Sequence, residues 1–248
     1  SGIALSRTGA STFEDERFRR ICWEVNPSKV GPQRTWCFVA KSCEFNLFYY
    51  PYENLVKWNR NGDELAERNR QVNGQTAQAR QGSSFYFKPG ISFSRRGEPT
   101  IAFRVYPSAC AFSSNGAVIL PIEAKNALYL LGLLNSSWVR AGIHTQAHKF
   151  SYSVGHSKSI RWIEPSPRER DSIESSVRII LEHKRWRFSK DERDSNFVVP
   201  FDPGMASIVE WFALFRHECK RRGGEMSDML ANIDKAVAMT YDLPPEGI

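Results

Sequence analysis

The hydrophobic pattern of this chain changes period about two-thirds of the way along. Up to about residue 163, apolar side chains come in short runs broken by turn residues. Arg34–Ala40, Phe45–Tyr50 and Thr100–Val105 are rich in aromatic and β-branched residues, which predicts strands. Ser83–Phe87 and Ile91–Ser94 flank Lys88-Pro89-Gly90, a turn signal that predicts a bent or hairpin-like pair. Ala111-Phe112 and Ala117–Leu120 flank Ser113–Gly116, and the Asn115-Gly116 step predicts a second pair closed by a tight turn. Asp63–Gln81 is polar and reads as a short helix grading into a mobile surface loop.

Helical spacing takes over after that. Leu130, Leu131, Leu134 and Trp138 share one face of a helix over Ala127–Trp138. Pro165 and Pro167 with nearby acidic residues open a helix that buries Ile173, Val177, Ile180 and Leu181. Ile208, Trp211, Phe212 and Phe215 form a stripe on a helix over Ala206–Arg222, with Gly223-Gly224 as its stop. A last helix over Ser227–Tyr241 turns Met229, Ile233, Val237 and Met239 or Thr240 inward. The expected fold is α+β: a strand-rich region over residues 1–163, then a helical region over 164–248.

Composition narrows the class. At 248 residues, with 41% hydrophobic and 25% charged side chains, the chain is an ordinary globular protein rather than a disordered one. No apolar run approaches the ~18–20 residues of a membrane helix, and no signal peptide is visible, so no membrane partner is expected. The opening Ser-Gly-Ile lacks Met, as in a piece of a longer protein. Five cysteines with no C-x-x-C pair argue against a disulfide scaffold or a four-cysteine zinc site and favour a reducing cytoplasm. The net charge of +7 is unevenly placed. Residues 1–150 hold 19 Lys+Arg against 11 Asp+Glu, and residues 151–248 hold 15 against 16. A cationic surface on the first region attracts polyanions.

Catalytic chemistry is hard to assemble from these residues. Asn26-Pro27-Ser28-Lys29 lacks the second proline and the aromatic residue of a methyltransferase target-amine motif. Glu123-Ala124-Lys125 has the tail of a metal-nuclease pattern, yet no aspartate lies between Asp63 and Asp171 to complete it. There is neither a phosphate-binding loop nor a nucleophile elbow. His144 and His148 have metal-ligand spacing, but only His156 is near as a third ligand, and a polar loop or groove lining fits them better. What remains is suited to nucleic acid. Ser94, Arg95 and Arg96 follow a Pro-Gly turn, and arginine matches guanine or phosphate. Asn59 and Arg60, with Asn61, form a second polar cluster. Gln146–Lys158 interleaves His148, Lys149, Tyr152 and Lys158 with hydroxyls. Arg104, inside a strand, fits either a DNA contact or an internal brace.

The order of several blocks resembles the C-terminal target-recognition region of single-chain bacterial adenine-specific DNA methyltransferases, both the type II restriction fusions and the BREX-type phage-exclusion enzymes. Gly2–Ser6 with Asp15–Arg20 and Trp23-Glu24-Val25 looks like the opening of that region. Arg34–Lys41, Tyr52–Trp58 and Asn61–Glu64 resemble its next blocks. Phe85–Ser94 is similar to the family's Gly-Ile-Thr strand, followed by Phe103-Arg104, Pro107, Phe112, Gly116 and Pro121. Leu128–Ser136 resembles its helix ending in Leu-Asn-Ser, and Asn232–Leu243 its closing helix. The methyltransferase half that precedes this region in the family is not in the sequence. The resemblance therefore implies a specificity module that reads double-stranded DNA and holds no cofactor itself. S-adenosylmethionine and transfer to adenine would belong to a methyltransferase domain elsewhere in the parent protein. The rival expectation is a protein-interaction module of a defence complex, binding partner subunits or a phage-encoded DNA-mimic inhibitor.

Overall fold

A computed structural model describes residues 2–74, 76–96, 100–147, 151–198 and 207–244. The architecture is α+β, with two four-stranded sheets and a helical layer. The first sheet contains β1 (Ala4–Arg7), β5 (Gly90–Ser94), β6 (Phe103–Tyr106) and β8 (Gly116–Pro121), in the antiparallel order β1-β8-β5-β6. The second contains β2 (Arg19–Ile21), β3 (Trp36–Ala40), β4 (Asn54–Lys57) and β7 (Cys110–Phe112), in the order β2-β4-β3-β7, with β3 and β7 parallel.

β8 explains why the first sheet lies between two layers. Its run Ala117-Val-Ile-Leu120 is apolar at every position, the signature of a strand covered on both faces. Ala117 and Ile119 point into the core shared with the helices, while Val118 and Leu120 point into the core shared with the second sheet. The helical layer comprises α3 (Ala127–Asn135), α4 (Ser137–Gln146), α5 (Val154–Lys158), α6 (Pro167–Phe188) and α7 (Ile208–Thr240). α1 (Asp15–Phe18) and α2 (Asn59–Asn73) instead bury Phe18 and Leu65 with Ala66 against the second sheet. The regions expected at 1–163 and 164–248 share the helix-side core, in which Ile91, Phe93 and Phe103 pack with Ile173, Val177, Ile233 and Val237.

α3 is the centre of that core and is buried on nearly every side. Two features fix its place. Gly132 admits α6 so closely that a Cβ there would sit 2.4 Å from Ile173 Cγ2 and 3.0 Å from Val177 Cγ2. Asn135 then ties the helix to the sheet: its Oδ1 accepts from Phe103 N at 3.0 Å and its Nδ2 donates to Phe103 O at 2.8 Å. The side-chain amide thereby acts as a strand partner for the open edge of β6. α6 starts with a capping box between Ser166 and Glu169 and buries the expected Ile173, Val177, Ile180 and Leu181.

Several elements depart from the sequence pattern. Phe45–Tyr50 is not a strand: Phe48 takes a left-handed φ of 70° and makes one isolated bridge to Arg104. Ser83–Phe85 forms a 3-10 turn, so β5 pairs with β6 and β8 rather than with the segment before it. β7 and β8 both exist around their Asn115-Gly116 turn but enter different sheets. Ser136 ends α3 and caps α4, accepting from Val139 N. The predicted stop at Gly223-Gly224 is overrun, because α7 is one helix of 33 residues. Ion pairs Arg222–Glu218 and Arg221–Glu225 brace the turns around the glycines, and both flanks lie along α6. Thr240 Oγ1 donates to Glu169 near one end, and His183 Nε2 lies 2.7 Å from Glu225 toward the other. Met239 is exposed rather than inward. Among the described residues no helix is long and apolar enough to cross a membrane.

Candidate nucleic-acid interface

Three side chains from the expected contact set lie inside the protein. Pleating turns Ser94 inward at the end of β5, where its Oγ accepts from Arg104 Nη2 at 2.7 Å and from Cys43 N at 3.2 Å. Arg104, only 3% exposed, also donates to Glu44 O at 3.3 Å. Next along this polar row, Tyr52 donates its single hydroxyl proton to Val105 O at 2.7 Å and so accepts from Ser92 Oγ at 2.9 Å. Arg104 therefore takes the bracing role of the two its sequence context allowed. Tyr152 is fully buried in the helical core, its hydroxyl 3.5 Å from His144 Nδ1. As folded, Ser94, Arg104 and Tyr152 have no surface to offer a duplex, which corrects their expected contact role.

Outside this row the picture changes. Arg95 is half-buried: its N donates to Asn115 O at 2.9 Å, its Nη1 to Ser114 O at 2.8 Å, and its O accepts from Tyr152 N at 2.8 Å. It clamps the β7–β8 turn to the segment leading into α5. Arg96 is exposed, with no ion-pair partner among the described residues. Lys158 is exposed at the end of α5, which is stitched to β1 by a 2.7 Å bond between Ser6 Oγ and Ser157 Oγ. Segment 151–158 thus spans from the end of β5 to β1, joining two of the three predicted clusters at the first sheet. His148 and Lys149 lie outside the described residues.

The third cluster belongs to the other layer. Asn59 and Arg60 open α2, where Arg60, Asn61 and Gly62 take left-handed φ values of 48°, 58° and 75°. Only glycine suits the last of these, because a Cβ on Gly62 would strike the Trp58 ring at 2.8 Å. Arg60 is exposed beside a mixed-charge network: Arg17–Glu64 at 3.1 Å, Lys57–Glu64 at 2.7 Å and Arg68–Glu14 at 2.7 Å. Several basic side chains of the first region are engaged in this way, which leaves its net positive charge unchanged. Arg19 and Lys41 both pair with Asp15, and Arg80 pairs with Asp63.

One residue absent from the sequence expectation joins the first-sheet cluster. Arg161 is exposed and shares with Lys158 a depression formed by Ile3, Ala4, Ser157 and Trp162. Its spacing of three from Lys158, around the end of α5, was the available signal. Among the described residues no group of three or more His, Cys, Asp or Glu is placed to hold a metal ion. Cys37 and Cys110 are buried, and burial pushes the Cys37 thiol up to about 12.

No family model and no curated protein matches this sequence. A solved structure does: a Type IIL restriction-modification enzyme, MmeI, in complex with DNA. All of this chain aligns to it, with a TM-score of 0.62 and 16% identity, over 34% of that enzyme's chain. The chain spans about a third of that enzyme's length. At this identity the likeness establishes a shared fold.

Proposed function

We propose that this chain is the target-recognition module of a bacterial DNA methyltransferase in a restriction-modification or phage-defence system, reading double-stranded DNA for a catalytic domain elsewhere in its parent protein. The observation that carries the reading is the fit of the whole chain to one-third of a restriction-modification enzyme bound to DNA. The cations at the first sheet support it. Arg96, Lys158 and Arg161 are exposed, and Arg95 holds the turn and the segment between them. In this reading they contact phosphate or base edges, while Ser94 and Arg104 keep the strand ends in place. Arg60 at the head of α2 is a second contact. S-adenosylmethionine and adenine modification belong to the parent's methyltransferase domain, toward which base flipping would deliver the target.

The test is a gel shift of random duplex at low and moderate salt. Binding that weakens steeply with salt is expected, and replacing Arg96, Lys158 and Arg161 by Ala should shallow the log–log slope by about 0.9 for each phosphate no longer neutralised. A folded protein that fails to shift duplex at low salt overturns the proposal.

A further inference from the structure

The tip of the α6–α7 hairpin carries an apolar surface with no partner in this chain's described residues. Trp186, in the last turn of α6, lies 5.6 Å from Phe215 of α7. The seven residues before Phe215 therefore continue about 7 Å past the end of α6 at Phe188. Ile208, Phe212 and Phe215 occupy the same seven-residue repeat as Met226, Met229, Ile233 and Ala236, which pack in the helical core. The core-facing stripe thus runs on after its partner helix has ended. Ile208 is 69% exposed, Val209 75%, Phe212 51% and Leu214 52%. Phe197 and Val198 add to this end, held there by a bond from Val198 N to Ser189 O. Other exposed large apolar residues are scattered along the chain, whereas these six fall at one end of one hairpin.

Charge decides what fits there. Arg187 lies over Phe215, Arg216 over Phe212 and Arg222 over Trp186. Over residues 182–198 and 208–222 there are nine Lys+Arg and six Asp+Glu. Four of those carboxylates are already engaged: Glu218 by Arg221 and Arg222, Glu182 by Arg222, Asp191 by Arg193, and Asp194 by the Tyr49 hydroxyl. A second copy would bring like charge against like charge. Nucleic acid would gain little from Ile208, Val209 and Leu214. Aromatic and arginine side chains around an apolar centre are the composition of a protein-binding hot spot, and apolar positions at i, i+4 and i+7 suit a facing helix.

We infer that the hairpin tip docks an amphipathic helix of a protein partner, its apolar stripe flanked by Asp and Glu. This surface is independent of the proposed DNA contacts. The probe is a fluorescently labelled three-heptad helical peptide with Leu at the core positions and Glu beside them, compared with its Lys-flanked counterpart and with labelled single-stranded oligothymidine. Anisotropy titrations of the full chain should show salt-sensitive binding of the Glu-flanked peptide only. The double substitution Ile208→Ser with Phe212→Ser should weaken that binding at least tenfold while leaving circular dichroism and duplex binding unchanged. Equal binding of both peptides, preference for the oligonucleotide, no binding of the Glu-flanked peptide, or a dimer abolished by the double substitution would each overturn the inference.

Discussion

Arg104 and Arg96 stand eight residues apart, one buried and one exposed, and the proposed function gives them opposite work. Replacing Arg104 with Met keeps the length of the side chain and removes two bonds, 2.7 Å to Ser94 Oγ and 3.3 Å to Glu44 O. Buried bonds from a charged donor contribute roughly 1.5–3 kcal/mol each. Two terms reduce the loss. Ser94 Oγ keeps its bond from Cys43 N, and Met spares the desolvation of a buried guanidinium. A net destabilisation of about 2–4 kcal/mol follows, or a fall in Tm on the order of 10 °C for a domain of this size. Arg96→Ala removes an exposed side chain with no ion-pair partner among the described residues, so stability should stay within about 0.5 kcal/mol.

Urea denaturation and duplex titration on the same samples separate the two. Arg104→Met should lower the denaturation midpoint and, where still folded, keep the wild-type salt slope. Arg96→Ala should keep the midpoint and lower the slope by about 0.9. The opposite pattern, with Arg104→Met fully stable and its slope flattened, would show that the buried guanidinium leaves the sheet to meet DNA and would refute the division of roles.

Three further outcomes are expected. Gly132→Ala places a methyl 2.4 Å from Ile173 Cγ2; overpacking of about 1–3 kcal/mol outweighs the helix-propensity gain of about 1 kcal/mol, and the Ile173→Ala background should reduce the penalty in a double-mutant cycle. Native alkylation followed by mass spectrometry should label half-exposed Cys22, Cys43 and Cys219 before buried Cys37 and Cys110; rapid labelling of Cys37 would contradict the packing of β3. Burial pushes the Asp15 carboxyl up, but the Thr12 hydroxyl with Arg19 and Lys41 outweighs it and holds the group below its ordinary value. Its stabilisation is therefore present above the ordinary carboxylate value and fades as pH falls through the lowered one, so Asp15→Asn should be less stable at neutral pH and converge with wild type in strong acid.

The sequence pattern was most informative where one element meets one environment. β3, β5, β8 and α6 show their burial directly, through β-branched runs or a 3.6-residue stripe. It misled where tertiary contacts replaced local signals. Phe45–Tyr50 has strand composition, but the edge of β6 beside it is already bonded by Asn135, and the segment adds only a single bridge at Phe48. Gly223-Gly224 looks like a stop, yet a helix packed on both flanks and laced by ion pairs tolerates about 1 kcal/mol per glycine. Strand pairing was the least legible, since an Asn-Gly turn specifies a reversal and not the sheet that each strand joins.

The candidate site divides along the same line, and Ser94-Arg95-Arg96 shows why. β5 ends at Ser94, so the chain leaves the sheet between Ser94 and Arg95, and a run that looks like one polar cluster separates into a buried hydroxyl, a turn-clamping arginine and an exposed one. Ser94 makes Arg104 part of the frame, and that frame holds the backbone from which Arg96 projects. In the proposed function Arg96 needs such a rigid base, because a side chain that reads a groove discriminates only as well as its backbone is fixed. Substitutions in the buried row should therefore alter binding through stability, while substitutions at Arg96, Lys158 and Arg161 should alter it at constant stability.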